Sequence, residues 1–325
     1  MSVFITFIQK AITQGIPLLY GATGEIITEK SGNLNLGIPG IMYLGGIGGL
    51  TGAFIYEMNT TSFSPVLAVI ITFLCAIIFS VLGGLIYSFL TVTLRANQNV
   101  TGLALTTFGT GLGNYLGGSL SKIAGTVGQI TVYSTGKAFK ATVPFADDLG
   151  IFGQLFLSYG FLTYLSIAIA IFAAWFIFRT RIGLNLRSVG ENPATADAAG
   201  INVSRYKYLA TCIGAAIAGI GGLYFVMEYL GGTWQNNGFG DRGWLAVALV
   251  IFARWKPNHA IWGSILFGGL YILYVYLPFG DAIQEIFKML PYVVTIFVLV
   301  FTSLKNKREQ QPPASLGITY FREDR

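Results

Sequence analysis

Between residues 58 and 94, and again between 149 and 178, the chain carries no Asp, Glu, Lys or Arg. About 20 apolar residues in an α-helix cross the hydrocarbon core of a bilayer, and both windows exceed that length. Further uncharged windows cover 31–56, 96–121, 208–227, 257–280 and 289–304. A soluble protein of this size needs a charged outer surface. Only 10% of the 325 residues are charged, against about 25% in ordinary globular domains. The fold class expected is an all-α polytopic membrane protein, since helices satisfy their own backbone groups in lipid.

The windows divide into nine expected membrane-embedded helical segments, near 4–24, 36–56, 64–90, 99–117, 153–178, 207–228, 241–254, 259–278 and 285–304. The fourth and seventh are short for a span, which suits a half-crossing or an unwound stretch. The first residues lack a basic start and a small-residue cleavage site, so the first segment is expected to be retained. Gly is 42 of 325 residues, and runs such as "GGIGGLTG" at 45–52 and "AAIAGIGG" at 215–222 suit close helix crossings. Cys75 and Cys212 sit in apolar runs and read as buried thiols.

Basic residues set the orientation. The connection 179–207 holds Arg179, Arg181, Arg187, Arg205 and Lys207 against Glu191 and Asp197, while Lys305, Lys307 and Arg308 follow the last segment. Both regions are expected on the cytoplasmic side. Nine crossings then put the N-terminus and 118–152 outside. That outer stretch has Lys122, Lys137 and Lys140 against Asp147 and Asp148, which runs counter to the rule. Lys10, Glu25, Glu57 and Glu228 fall near segment ends, where snorkelling or a cap accommodates them.

Two polar stretches precede apolar helices. In "SGNLNLGIPG" at 31–40, Asn and Ser can cap a helix, Gly opens unusual backbone geometry, and Pro39 suits a first turn. This is an irregular approach to a helix at membrane depth. Such backbone must line a cavity or be covered by protein. Asn33 and Asn35 would face a neutral polar solute in the first case and satisfy local backbone in the second. The second stretch, "GGTWQNNGFGDRGW" at 231–244, offers Asn236, Asn237, Asp241 and Arg242. Here a contribution to a path competes with capping and with interfacial anchoring by Trp234 and Trp244. If the segments are correct, the two following helices cross in opposite directions, as two inverted related halves require.

Enzyme chemistry has little support. One His and no Cys pair at ligand spacing argue against a zinc site, and no nucleophile elbow or phosphate-cradling Gly-x-x-x-x-Gly-Lys-Ser/Thr loop occurs. No catalytic residue, metal or cofactor is expected, and any ATP hydrolysis must lie on another subunit. The hydrophilic stretch "RTRIGLNLRSVGENPATADAAGINVSRYK" at 179–207 predicts a short helix after Pro193, with Asp197 early in it and Gly200 ending it. That helix could transmit motion to a cytosolic partner or lie as an amphipathic loop on lipid headgroups.

"GLNLRSVGENPATADAAGINV" at 183–203 resembles the cytoplasmic coupling segment of permease subunits from bacterial ABC importers for ribose-like sugars and nucleosides. "SGNLNLGIPGIMYLGG" at 31–46 is similar to the approach to the second helix in the nucleoside, basic-membrane-lipoprotein-linked branch of that group. The resemblance covers roughly residues 5–304. It implies a multi-pass permease in a bacterial cell membrane that pairs with a second permease or its own copy. Two cytosolic ATP-binding subunits would dock beneath it and an extracytoplasmic solute-binding lipoprotein above; membrane lipid surrounds it, and nucleic acid has no place.

Residue by residue, the resemblance carries coupling to Gly190, Glu191, Asn192, Pro193, Ala199 and Gly200, which Asp197 joins by its place in the helix. It carries the translocation path to Asn33, Leu34, Asn35, Leu36 and Gly37; Asn236 and Asn237 join these candidates only from the reading of the second polar stretch. Many nucleoside-type relatives have Glu where this chain has Pro39, which weakens the inference to a nucleoside. The organisation expected is a transmembrane permease domain over 1–304 containing the 179–207 coupling segment, then a cytoplasmic tail over 305–325. The implied function is inward movement of a nucleoside or simple sugar by alternating access. The rival is an ion-coupled secondary transporter, which would need an intramembrane acidic relay.

Overall fold

The computed structural model describes residues 3–142, 149–276, 286–305 and 311–321. Lys307, Arg308, Asp147 and Asp148, all used above to orient the chain, lie outside these ranges. Apart from two short strands, the regular elements among the described residues are helices. Its helices are α1 (Val3–Glu29), α2 (Ile38–Asn59), α3 (Pro65–Ser88), α4 (Gln98–Ile123), α5 (Tyr133–Phe139), α6 (Gly150–Phe156) and α7 (Phe161–Arg179). They continue as α8 (Arg181–Glu191), α9 (Pro193–Ala198), α10 (Val203–Tyr224), α11 (Arg242–Phe252), α12 (Pro257–Ile272) and α13 (Leu290–Lys305). Single π-helical turns, Phe89–Thr93 and Phe225–Tyr229, extend α3 and α10. Strands β1 (Gln129–Thr131) and β2 (Thr233–Gln235) pair antiparallel with Ile130 opposite Trp234.

Among the described residues, six helices and not nine are long and apolar enough to cross a membrane: α1, α2, α3 with its π turn, α7, α10 with its π turn, and α12 with the following 3-10 turn. Three of the expected segments fall short, for two reasons. α4 has 26 residues but carries Gln, Asn, Thr and Ser along its length. α11 and the apolar stretch Leu290–Phe301 are too short.

α2 lies at the centre, enclosed by α3, α4 and α10. Its tight crossing of α10 depends on glycine: a Cβ at Gly45 would collide with the backbone of Gly219. By contrast, α3 keeps Val66, Ile70, Leu74, Ile78 and Leu82 exposed, an i, i+4 stripe suited to lipid. Cys75 and Cys212 are free and half-buried.

Local chemistry sets the helix boundaries. Pro39 and Pro65 open α2 and α3 in first-turn positions where the missing N–H costs nothing. Thr180, Asn192 and Asn202 cap α8, α9 and α10, each accepting from the backbone N–H three residues on. Gly200, at φ +83°, terminates α9 in the left-handed region. The short helix predicted after Pro193 therefore forms as α9, with Asp197 near its end rather than early in it, because the helix is only six residues long.

The two ends of the bundle differ. At one, the close of α1, the 30–37 loop, the start of α4 and helices α8 and α9 meet residues 313–321. At the other, the β1–β2 pair sits beside α4, and Glu57, near the end of α2, accepts from the N–H and hydroxyl of Thr135, each at 2.7 Å.

Candidate translocation and coupling site

Helix α1 ends where Ser31, Gly32 and Asn33 follow it, and Gly32 takes φ +87°. The chain then turns back along α1. Asn35 donates its N–H to Glu25 Oε1 at 3.0 Å, and Gly21 faces Ile38 on α2 and Ala246 on α11. At a rise of 1.5 Å per residue, Glu25 lies about 6 Å and Gly21 about 12 Å inward from Glu29. α2 thus starts well inside the bundle, and the predicted irregular approach to it is present.

Side chains from several helices satisfy this unwound backbone. Gln98 Oε1 accepts from Leu34 N–H at 2.7 Å, while Tyr87 donates its hydroxyl to the Leu34 carbonyl at 2.6 Å. Thr106 donates to the Leu36 carbonyl at 2.8 Å, and Gly37 N–H donates to Asn35 Oδ1 at 2.9 Å. Without water, non-helical backbone needs such cover.

Asn33 and Asn35 are both fully buried. Asn33 Nδ2 donates to Thr211 Oγ1 at 3.0 Å; its Oδ1, the Nδ2 of Asn35 and the Oε2 of Glu25 have no hydrogen-bond partner. The local-backbone role holds for Asn35 Oδ1, and three buried polar atoms are left over. Glu25 at 0% exposure is no snorkelling residue, and Glu228 at 7% is not one either. Glu228 Oε1 accepts from the Thr163 hydroxyl at 3.0 Å. Snorkelling fails for both because helix packing encloses them, while the cap alternative fits: Glu25 accepts from the backbone of Asn35, and Glu228 from the backbone of Gly160 and Leu162 at the start of α7. Glu29, one turn from Glu25, accepts from the indole N–H of Trp255.

The second polar stretch reaches the first at one point. A Cβ at Gly243 would collide with Pro39, so the starts of α2 and α11 abut. Asn236 and Asn237 do not join Asn33 and Asn35. Asn237 is exposed, with φ +57°, and its N–H donates to Asn114 Oδ1 at 3.1 Å. Asn236 Oδ1 accepts from Trp234 Nε1 at 3.4 Å. Trp234 is only 1% exposed and packs its ring on Tyr43 and Phe239, so the interfacial-anchor reading fails for it. Arg242 is buried too: its Nε and Nη2 donate to Gln14 Oε1 at 3.3 and 3.1 Å, and its guanidinium lies over Phe225, Tyr229 and Tyr271.

The residues expected to act in coupling form one compact group. Gly190 packs against the Lys30 backbone, where a Cβ would clash. Asn192 and Pro193 start α9, Ala196 is buried with Val189 and Val203, and Glu191, Ala194, Thr195, Ala198, Ala199 and Gly200 are exposed. A small capped helix thus presents short side chains outward. The loop carrying Asn33 and Asn35 lies directly against this group, so the two sequence-predicted sites are neighbours in the fold.

Sequence reasoning missed the role of the tail. Ser315 N–H donates to the Gly190 carbonyl at 3.0 Å and Gly317 N–H to the Gly32 carbonyl at 3.1 Å. The Tyr320 hydroxyl donates to Asp197 Oδ2 at 2.9 Å, and Arg95 lies 4.7 Å from the Phe321 ring centroid. Residues 314–321 therefore strap α8, α9 and the 30–37 loop together. Nothing periodic or apolar in this segment signals such docking. Glu25 and Glu29 did leave a signal: two carboxylates at i, i+4 on a helix entering an amide-rich turn.

Burial lowers the Lys30 ammonium to about 8 from its usual value; Glu191 acts to raise it and Arg187 to lower it.

Over residues 7–299 the chain matches the family described as branched-chain amino acid transport system / permease component. It is 31% identical over 292 residues to a nucleoside ABC transporter permease protein of Lactococcus lactis, covering 87% of each chain. It is 29% identical over 290 residues to a guanosine ABC transporter permease protein of Bacillus subtilis, again covering 87% of each. A putative glucose ABC transporter permease protein of Haloferax volcanii is 29% identical over 328 residues, covering 94% of each chain, and a second glucose ABC transporter permease protein of that organism is 22% identical over 303 residues. No solved structure matches the chain. With six helices long and apolar enough to cross a membrane among its described residues and a family match along most of its length, the chain belongs to this family of ABC-transporter permease subunits.

Proposed function

We propose that this chain is the translocation subunit of an ATP-driven importer whose solute is a nucleoside. The observation that supports the solute class is the 31% match to the relative named for nucleoside transport, with the guanosine relative at 29%, beside relatives named for glucose at 29% and 22%. A simple sugar is the second reading, favoured by the two glucose-named relatives, one of them 29% identical over 94% of each chain, and by Pro39 in place of a carboxylate. ATP hydrolysis belongs to separate subunits.

In this reading residues 1–304 form the permease domain. The end bearing α8, α9 and the 305–325 tail faces the cytosol, and the N-terminus lies outside. The chain pairs with a second permease or its own copy, receives solute from an extracytoplasmic lipoprotein, and docks ATP-binding subunits through Gly190, Glu191, Asn192, Pro193, Asp197, Ala199 and Gly200. The short exposed side chains of α9 support this, because they leave room for a partner's groove. Closure of the ATPases moves α9, and the contact of Gly190 with the 30–37 loop passes that motion to the start of α2. Asn33, Asn35 and Gly37 on the inner approach and Asn236 and Asn237 on the outer one act on the solute path. The meeting of Pro39 with Gly243 supports a reading of the two approaches as related, inverted elements.

Uptake of labelled guanosine and labelled glucose into vesicles holding the assembled complex tests the proposal. ATP-dependent guanosine uptake that falls in Asn35→Leu without loss of assembly supports it. Glucose uptake with no guanosine uptake assigns the second reading, and unchanged flux in Asn35→Leu removes that residue from the path.

A further inference from the structure

At the end of the bundle that carries α8, a cavity of ≈620 Å3 opens between the close of α1, α7, α8, the start of α12 and the tail. Its described lining includes Lys30, Arg187, Lys256 and His259, with Glu191 as the acidic residue. Lys30, Arg187 and Lys256 are each half-buried, and they come from three different helices or helix ends. Three formal cations against one carboxylate leave a net charge of about +2 with His259 neutral. Glu191 is also engaged by the tail, whose Ala314 N–H donates to its Oε2 at 3.4 Å.

The guanidinium of Arg187 is held 5.4 Å from the centroid of the Phe178 ring, and its Nε is buried without a hydrogen-bond partner. A buried guanidinium N–H with no acceptor is costly unless something supplies one. On the remaining side the cavity has an apolar wall, Ala174 and Phe178. These belong to α7, which also exposes Ile171, Phe172 and Trp175 as a lipid-suited face.

We propose that this cavity seats the phosphate headgroup of an anionic phospholipid, with Arg187, Lys256 and Lys30 contacting the phosphate and the acyl chains leaving along α7. Charge complementarity selects a phosphate anion, and continuity with the exposed aromatic face of α7 selects a lipid over a free phosphate. The headgroup would bridge α8 to α1 and α12, pinning the base of the coupling segment to the core. This rests on the cytosolic placement of α8 in the proposed function but not on the identity of the solute.

The test uses the purified full-length chain in nanodiscs and in neutral detergent. Retention of phosphatidylglycerol and phosphatidylcholine is measured by native mass spectrometry, with inorganic phosphate as competitor. Phosphatidylglycerol is expected to be retained about tenfold over phosphatidylcholine. Arg187→Gln and Lys256→Gln should each weaken it about fivefold, as expected for one basic residue near a charged headgroup, and Lys256→Arg should restore it. Equal retention of the two lipids, or selectivity that survives both neutral substitutions, overturns the site. Displacement by inorganic phosphate at matched phosphate concentration overturns the lipid and assigns a soluble anion. Lipid binding is read without transport, so a wrong solute assignment leaves this result standing.

Discussion

Glu25 is the residue on which the unwound 30–37 stretch leans most directly, and replacing it tests the packing argument. Its Oε1 accepts the Asn35 N–H at 3.0 Å inside a fully buried site. Glu25→Ala orphans that N–H, at about 1–3 kcal/mol. A residual hole on the order of 50 Å3 adds about 1 kcal/mol at roughly 24 cal/mol per Å3. The total is about 2–4 kcal/mol. Glu25→Gln keeps a carbonyl oxygen in the same place and should cost less than about 1 kcal/mol. Two measurements on the purified chain separate these cases. Thermal unfolding followed by tryptophan fluorescence should drop by several degrees for Ala and little for Gln. Hydrogen exchange of the Asn35 amide should quicken about 5- to 150-fold in the Ala variant alone, since 1.4 kcal/mol is tenfold. Equal exchange rates in the Ala and Gln variants would refute the idea that the carboxyl acts as backbone acceptor for this loop.

Other expectations follow from the same geometry. Tyr320→Phe removes the donor to Asp197 Oδ2, a charge-assisted bond of about 1.5–3 kcal/mol, and limited proteolysis should then cut within 311–321 more readily; unchanged cleavage would mean that the strap is held elsewhere. Gly45→Val should abolish accumulation of folded protein, because its side chain meets the α10 backbone at Gly219; a folded, monodisperse variant would contradict the close crossing. Lys30 should show an inflection near pH 8 in amine labelling, where an exposed lysine shows one near 10.4. Between those values the unfolded chain binds the proton that the folded chain has shed, so this group makes the fold more stable as pH rises through that window. An inflection above pH 10 would show that Lys30 is solvated.

Much of the architecture was legible because lipid demands long uncharged runs. α3 and α7 have such runs and turn most of their surface outward, with 28% and 39% of their spanning windows buried. The same signal misleads where polar residues pack inward: α4 places Thr101, Gly109 and Gly113 against neighbours, and its hydropathy falls below that of a span. It also cannot separate a central helix from a lipid-facing one, as α2 shows with 89% of its window buried. Caps and stops were readable at Asn192, Pro193 and Gly200, where residue chemistry dictates local geometry. Glu228 was not, since a carboxylate near the end of an apolar run looks the same whether it reaches water or a buried donor, and Glu25 was legible only through its i, i+4 spacing to Glu29 ahead of the amide-rich turn. The tail docks through backbone groups and a single tyrosine, which leave no pattern, and the contact of Pro39 with Gly243 depends on tertiary packing across some 200 residues.

Coupling through α9 can be examined in one assembly. With Ala199→Cys in the transport-competent complex, a short bifunctional reagent should join this exposed position to an ATP-binding subunit, with a yield that changes when ATP is added. A functional complex in which position 199 never becomes linked to that subunit, while a control pair within the permease does, would contradict the proposed route from ATP to the start of α2.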